Sequence, residues 1–160
     1  MPERVEAAIG AAIEVRAAQP WQARRLTEIA FAAKRHWGYP EAWIRLWWDE
    51  LVVTPGYVRE ASVLVALRGG RVAGWGAAGL DDGRWWIEHL WVEPSSIGCG
   101  VGTRLLTRIG EVLAARGVHR LVIAADPNAA GFYASRGAVH VGEIDSLPKG
   151  RRIPVYELDF

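Results

Sequence analysis

Apolar residues recur along this chain with two different periods. Leu26, Ile29, Ala30, Ala33 and Trp37 follow one another at spacings of three and four, one face of a helix that stops at Gly38. Ahead of it, "IEVRAAQP" (13–20) reads as a first strand ended by Pro20. Pro40 suits the first turn of a second helix, along which Trp43, Trp47 and Leu51 return every four residues until "VTPGY" (53–57) breaks the pattern. The period then shortens. "SVLVAL" (62–67), "VAGWGAAGL" (72–80) and "RWWIEHLWV" (84–92) are separated by Gly69-Gly70 and by Asp81-Asp82-Gly83, which predicts an antiparallel meander with tight turns.

Past residue 92 the pattern changes again. Leu105, Leu106, Ile109, Val112 and Leu113 mark a helix stopped by Gly117, and "HRLVIAA" (119–125) is the continuous apolar run of a buried strand. Strand, loop, helix and strand over residues 85–125 make a crossover unit with two parallel neighbours. A short helix at 129–136 ends at Gly137, and "AVHVGEI" (138–144) and "IPVYELDF" (153–160) are two further strands. The fold class is therefore α/β: a mixed, largely antiparallel sheet with a central parallel pair, flanked by helices.

Composition narrows the function. A chain of 160 residues is expected to form one domain, with 1–11 as a flexible leader. A net charge of +1 gives no basic stripe for nucleic acid. One cysteine, Cys99, allows no internal disulfide, and no apolar run reaches the ~18 residues that span a bilayer, so a cytoplasmic protein is expected. Nine tryptophans are unusual; most suit a core filled with large rings, and two or three are expected to line a cleft.

The chemistry concentrates in "SSIGCGVGTRLL" (95–106), where Gly98, Gly100 and Gly102 alternate just ahead of a helix. Glycine at every second position is costly unless the backbone must bend or be approached closely. A helix N-terminus offers unpaired N–H groups and partial positive charge, for which phosphate is the natural guest. Gly102 is followed by Thr103-Arg104 rather than Lys-Ser/Thr, which excludes a P-loop. A dinucleotide fingerprint needs a third glycine where Thr103 or Leu105 stands.

"HLWVEPSSIGCGVGTRLL" resembles the acyl-CoA motif of the GNAT superfamily of N-acetyltransferases, in which a strand and a Pro-containing bend lead into Gln/Arg-x-x-Gly-x-Gly/Ala. Gly100 and Gly102 match; Ile97 stands where the family has Gln or Arg. "DPNAAGFYASRGA" (126–138) resembles a later motif of that superfamily through Asn128, Phe132, Tyr133 and Gly137. The resemblance, covering about residues 12–160, implies a GNAT-like fold and acetyl-CoA as co-substrate, with no metal. It implies a pyrophosphate cradle at Ile97, Gly98, Cys99, Gly100, Val101, Gly102 and Thr103. It implies a pantetheine arm along Leu90, Trp91 and Val92, with Asn128 and Phe132 beside the cofactor. Tyr133 becomes the candidate general acid for the leaving thiolate.

The base stays open between Glu88, His36 and water. Strand alternation puts Glu88 on the face of Leu90, toward the presumed cleft, and His89 on the opposite one. In this fold the first two helices usually wall the acceptor site, which nominates His36, Trp37 and Tyr39. The acceptor is expected to be an amine of a small molecule or peptide, and the aromatic content suits an apolar or flat portion beside that amine or a cation near the rings. A catalytically silent acyl-CoA sensor of the same fold is the alternative. The oligomeric state stays open; the last strand, 153–160, is expected to be exposed, an edge that could pair across a homodimer.

Overall fold

The computed structural model describes residues 12–160, and the expected leader over 1–11 lies outside the described residues. Seven strands form one sheet: β1 (Ile13–Ala17), β2 (Val63–Arg68), β3 (Arg71–Asp81), β4 (Arg84–Val92), β5 (Arg120–Ala124), β6 (Val139–Ser146) and β7 (Arg151–Asp159). Their order is β1-β2-β3-β4-β5-β7-β6. Every neighbouring pair is antiparallel except β4 and β5, which run parallel.

Helix α1 (Ala23–His36) packs on one face of the sheet, its Leu26, Ile29 and Ala30 joining Val63, Val65, Trp75 and Ala77 in a buried cluster. The other face carries the crossover helix, numbered α5 below. The expected second helix is broken. Trp47 adopts φ −96°, ψ 4° between α2 (Glu41–Leu46) and α3 (Trp48–Leu51). Its indole Nε1 donates to Leu147 O at 3.0 Å, so the break serves a tertiary contact that periodicity does not report. The "VTPGY" break is itself a short helix, α4 (Pro55–Glu60): Thr54 Oγ1 accepts from Tyr57 N at 3.1 Å, and Pro55 fills the first helical position.

Helix α5 (Val101–Ala114) buries Val101, Leu105, Leu106, Ile109 and Leu113, and α6 (Ala130–Ser135) buries Tyr133. Gly74 and Gly76 of β3 let α5 lie close to the sheet. A Cβ at Gly74 would sit 2.7 Å from Val101 Cγ1 and 2.8 Å from Trp91 O, and one at Gly76 3.1 Å from Ile109 Cδ1.

The last strand corrects an expectation. β7 lies between β5 and β6, paired on both sides, and the exposed edge is β6, which is solvent-facing along most of its length. The chain turns back after β6 and inserts its final strand against the apolar β5, so a dimer contact through residues 153–160 has no free edge there.

Gly74→Ala is expected to destabilise the fold by about 1–3 kcal/mol, because the added methyl meets the Trp91 carbonyl, which cannot yield like a side-chain tip. The urea midpoint should fall with the slope unchanged. Gly131→Ala is the control: its Cβ meets nothing within 4 Å, and its midpoint should hold or rise.

Candidate active site

Strands β4 and β5 share a ladder position only at Trp86 and Val122. Toward Val92 and Ala124 they part, and a cavity of about 910 Å³ opens between them. Ile87–Val92 form one wall, and Ala124 and Asp126 stand on the other. Glu93 N donates to Ala73 O at 2.8 Å, and alternation from that bond points the N–H groups of Leu90 and Val92 away from β3, into the split.

The glycine loop closes one end of the cavity. Gly98 and Gly100 take φ +80° and +88°, a left-handed conformation that side chains resist. Arg104 N is the first to bond back along the helix, to Gly100 O at 3.1 Å. Among the described residues the N–H groups of Gly98, Gly100, Val101, Gly102 and Thr103 make no hydrogen bond, and all five residues line the cavity. Five free donors at the positive end of a 14-residue helix suit a phosphate group. Ile97 also lines the cavity and is 44% exposed. Cys99 does not line it; its N–H bonds Ser96 O at 3.2 Å within the turn. Phe132 packs against Gly102, where a Cβ would lie 3.3 Å from its ring.

Tyr133 is buried beneath Phe132 and lines the same cavity. Its hydroxyl has no hydrogen-bond partner among the described residues. Burial, then the nearby Asp126 charge, pushes the phenol above its ordinary range, so it remains protonated at neutral pH.

Glu88 and His89 do not alternate as expected. A bulge pairs Ala77 with His89 and Ala78 with Ile87, leaving Glu88 as the extra residue. Both side chains then meet Tyr57 of α4. The Tyr57 hydroxyl donates to Glu88 Oε2 at 2.6 Å, and the Tyr57 and His89 rings lie 5.7 Å apart. Leu90 packs instead toward α5. Glu88 is exposed and lines the cavity. His89 stacks on Trp75 at 4.7 Å, and its Nδ1 accepts from Trp91 Nε1 at 3.0 Å, which leaves the proton on Nε2. Burial drives its pKa down to about 4, against a small opposing pull from Glu88.

The far wall is polar. Asp126, just beyond β5, accepts from Lys34 Nζ at 2.8 Å, from the Tyr39 hydroxyl at 2.9 Å and from Asn128 N and Nδ2 at 2.9 and 3.0 Å. Burial alone would raise the Asp126 carboxyl; Lys34, Asn128 and Tyr39 outweigh it and hold the group below the usual carboxylate range. Lys34 Nζ lies 4.3 Å from the Trp47 ring centre, and the Arg151 guanidinium 5.0 Å from the same ring. Lys34, Trp37, Trp47, Asp126 and Arg151 line the cavity. Tyr39 supports this wall from behind, and His36 is exposed against Trp37, away from the cavity. Trp37, Trp47 and Trp91 are thus the cleft tryptophans.

Sequence reasoning passed over Lys34, Asp126 and Arg151 as site residues. A lysine four residues after Ala30 on the buried stripe of α1, and an aspartate closing a buried strand, were visible signals for two of them. Arg151 reaches the wall only through the return of the β6–β7 hairpin, which no spacing announces.

Residues 21–138 match the sequence profile of the Acetyltransferase (GNAT) family. No curated protein matches the chain. Among solved structures, a GCN5-related N-acetyltransferase from Rhodopseudomonas palustris superimposes with a TM-score of 0.77 at 23% identity, covering 94% of this chain and 96% of that one. YncA, a putative acetyltransferase from Salmonella typhimurium solved with its cofactor acetyl-CoA, gives 0.68 at 21% identity, over 93% and 94% of the two chains. The PaiA N-acetyltransferase from Thermoplasma acidophilum, in complex with coenzyme A, gives 0.69 at 16% identity, over 93% and 99%.

His89 carries a pH signature. The unfolded chain takes up its proton near 6.5 and the folded chain only near 4, so its contribution is complete above pH 6.5 and is lost as the pH falls toward 4. The loss is on the order of 3 kcal/mol at most. His89→Asn, which keeps an acceptor for Trp91 Nε1, should flatten the unfolding free energy between those pH values; an unchanged slope would assign it to other groups.

Proposed function

The chain belongs to the GNAT acetyltransferase family, and from that premise we propose that it is an N-acetyltransferase. It moves the acetyl group of acetyl-CoA directly to an amine of a small molecule or peptide. One observation carries the reading: the five free N–H groups of the glycine loop and the unpaired edge of β4 open onto the same cavity. The first suits a pyrophosphate and the second an extended amide-bearing arm, which adds to a sheet edge as a strand would.

Acetyl-CoA supplies an acyl carbon activated by a thiol leaving group. The chain's residues supply the rest. The Leu90 N–H, which points away from β3 into the split, is the donor assigned to the developing oxyanion, a role worth about 3 kcal/mol. Tyr133 holds a proton at its hydroxyl for the departing sulfur, and its buried, raised phenol supports that role. Glu88 accepts the amine proton, directly or through water. Glu88 lines the cavity, with Oε2 engaged by the Tyr57 hydroxyl and Oε1 lying over Gly79 of β3, where a Cβ would collide with it. His36, exposed and outside the cavity lining, is poorly placed for the task. Phe132 and Asn128 complete the cofactor side, and Trp37 the acceptor side. Ile97 in place of Gln or Arg puts the burden of phosphate binding on backbone, and its exposed side chain on the cavity rim fits that division.

Acetyl-CoA binding by calorimetry, followed by free-thiol release across a panel of amines, tests the reading. Saturable binding with turnover on at least one amine is expected. Binding without turnover on any acceptor would favour the silent sensor, and no binding would overturn both.

Tyr133→Phe should lower kcat on the order of 10²-fold while leaving the CoA affinity near its original value. An unchanged kcat removes Tyr133 from the chemistry. Glu88→Gln should abolish the acid limb of the pH–rate profile; if that limb survives, the proton passes to another base.

A further inference from the structure

The polar wall of the cavity holds more positive charge than it uses. Lys34, Arg151 and Asp126 have side chains only 11%, 13% and 17% exposed, so two cations share one carboxylate. That carboxylate is filled by Lys34, Tyr39 and Asn128. Arg151 is left 4.0 Å from it, the outer limit of an ion pair. Among the described residues the guanidinium donates only to neutral oxygens, the Tyr39 hydroxyl at 3.1 Å and Ser146 Oγ at 3.3 Å. A guanidinium has five N–H donors in a planar fork. A nearly buried cation with spare donors facing a cavity is costly until an anion completes it. The other carboxylates of the cavity, Glu50 and Glu88, are both exposed. The cavity therefore pairs acidic groups at its accessible side with a cationic fork in its wall, beside the flat apolar surface of Trp47.

We propose that the acceptor is an amino-acid-like small molecule, carrying a carboxylate as well as its amine, and that the Arg151 guanidinium receives that carboxylate. The inference rests on reading this cavity as the acyl-transfer site. Arg151 is a specificity residue in it: the planar fork matches a carboxylate through two parallel hydrogen bonds, which a lysine would not reproduce. Its partners differ from those of the phosphate end: Arg151 bonds Tyr39 and Ser146, whereas Phe132, Val92 and Ile13 pack against the glycine loop.

The test is binding of amine–carboxylate pairs. The L-amino acids and short ω-amino acids are each titrated beside the corresponding carboxamide, with CoA present, using the intrinsic fluorescence to which Trp47 and Trp91 contribute. At least one acid should bind ten-fold or more tightly than its amide, and Arg151→Gln should bring that acid down to the level of the amide. Arg151→Lys should fall between, and carries the test by itself if the glutamine variant does not fold. CoA affinity, measured on each variant, should stay within about two-fold. The proposal is overturned if no acid in the panel binds better than its amide, including no binding of either. It is also overturned if the preference survives in Arg151→Gln, or if that variant loses CoA rather than the acid. Thiol release is scored separately. Equal acetylation of acids and amides keeps the N-acetyltransferase reading and removes this one. An Arg151-dependent preference without thiol release does the reverse.

Discussion

The cavity exists because two neighbouring parallel strands stop bonding to each other. β4 and β5 meet at Trp86 and Val122 and then part, which leaves the N–H groups of Leu90 and Val92 facing a gap in the middle of the sheet rather than a partner strand. Backbone polar groups need partners, so this internal edge is a standing demand for an extended ligand. The crossover connection fixes what lies next to it. The chain leaves β4 at the end where the split opens and enters α5 through the glycine loop, so the unpaired edge and the unpaired helix N-terminus arise from one short stretch of backbone.

The glycines serve that arrangement in two different ways. Gly98 and Gly100 are needed for their left-handed φ, which turns the loop so that five consecutive or near-consecutive N–H groups stay free. Gly74 and Gly76 are needed for what they lack. With no Cβ, β3 admits Val101, Leu105 and Ile109 of α5 almost onto its backbone. The helix is thereby seated against the strands on either side of its own N-terminus, and the loop has little room to drift from the end of β4.

Much of this was legible in the sequence, and the reason is that it is local. The glycine loop, the tight turn at Gly69-Gly70, the buried run of β5 and the stop at Gly117 each follow from residues a few positions apart. Where reading failed, the cause lay in contacts distant along the chain. The single helix expected through Trp43 and Leu51 is divided at Trp47 because its indole reaches Leu147, a hundred residues away. Glu88 and His89 escape strict alternation because one residue of β4 is extra, and nothing in "WWIEHLWV" marks a bulge. The final strand reads as an edge when pairing is assumed to follow chain order; the β6–β7 return places it inside the sheet. The α4 helix, by contrast, carried its signal in Thr54-Pro55.

The charged wall is the part of the cavity that stability does not explain. Burying an ion pair costs desolvation that its attraction repays only partly, and apolar residues of similar size would hold the fold as well. What Lys34 and Asp126 supply is position. Asp126 is bonded at once by α1 through Lys34, by the following loop through Tyr39 and by its own downstream turn through Asn128, so one carboxylate ties the end of α1 to the end of β5 across the mouth of the split. Arg151 leans on the same Tyr39 hydroxyl and on the ring of Trp47, and Trp47 in turn holds the β6–β7 turn through Leu147. The guanidinium is thus fixed by groups that are themselves fixed, which is the condition for reading the shape of an anion rather than merely attracting its charge.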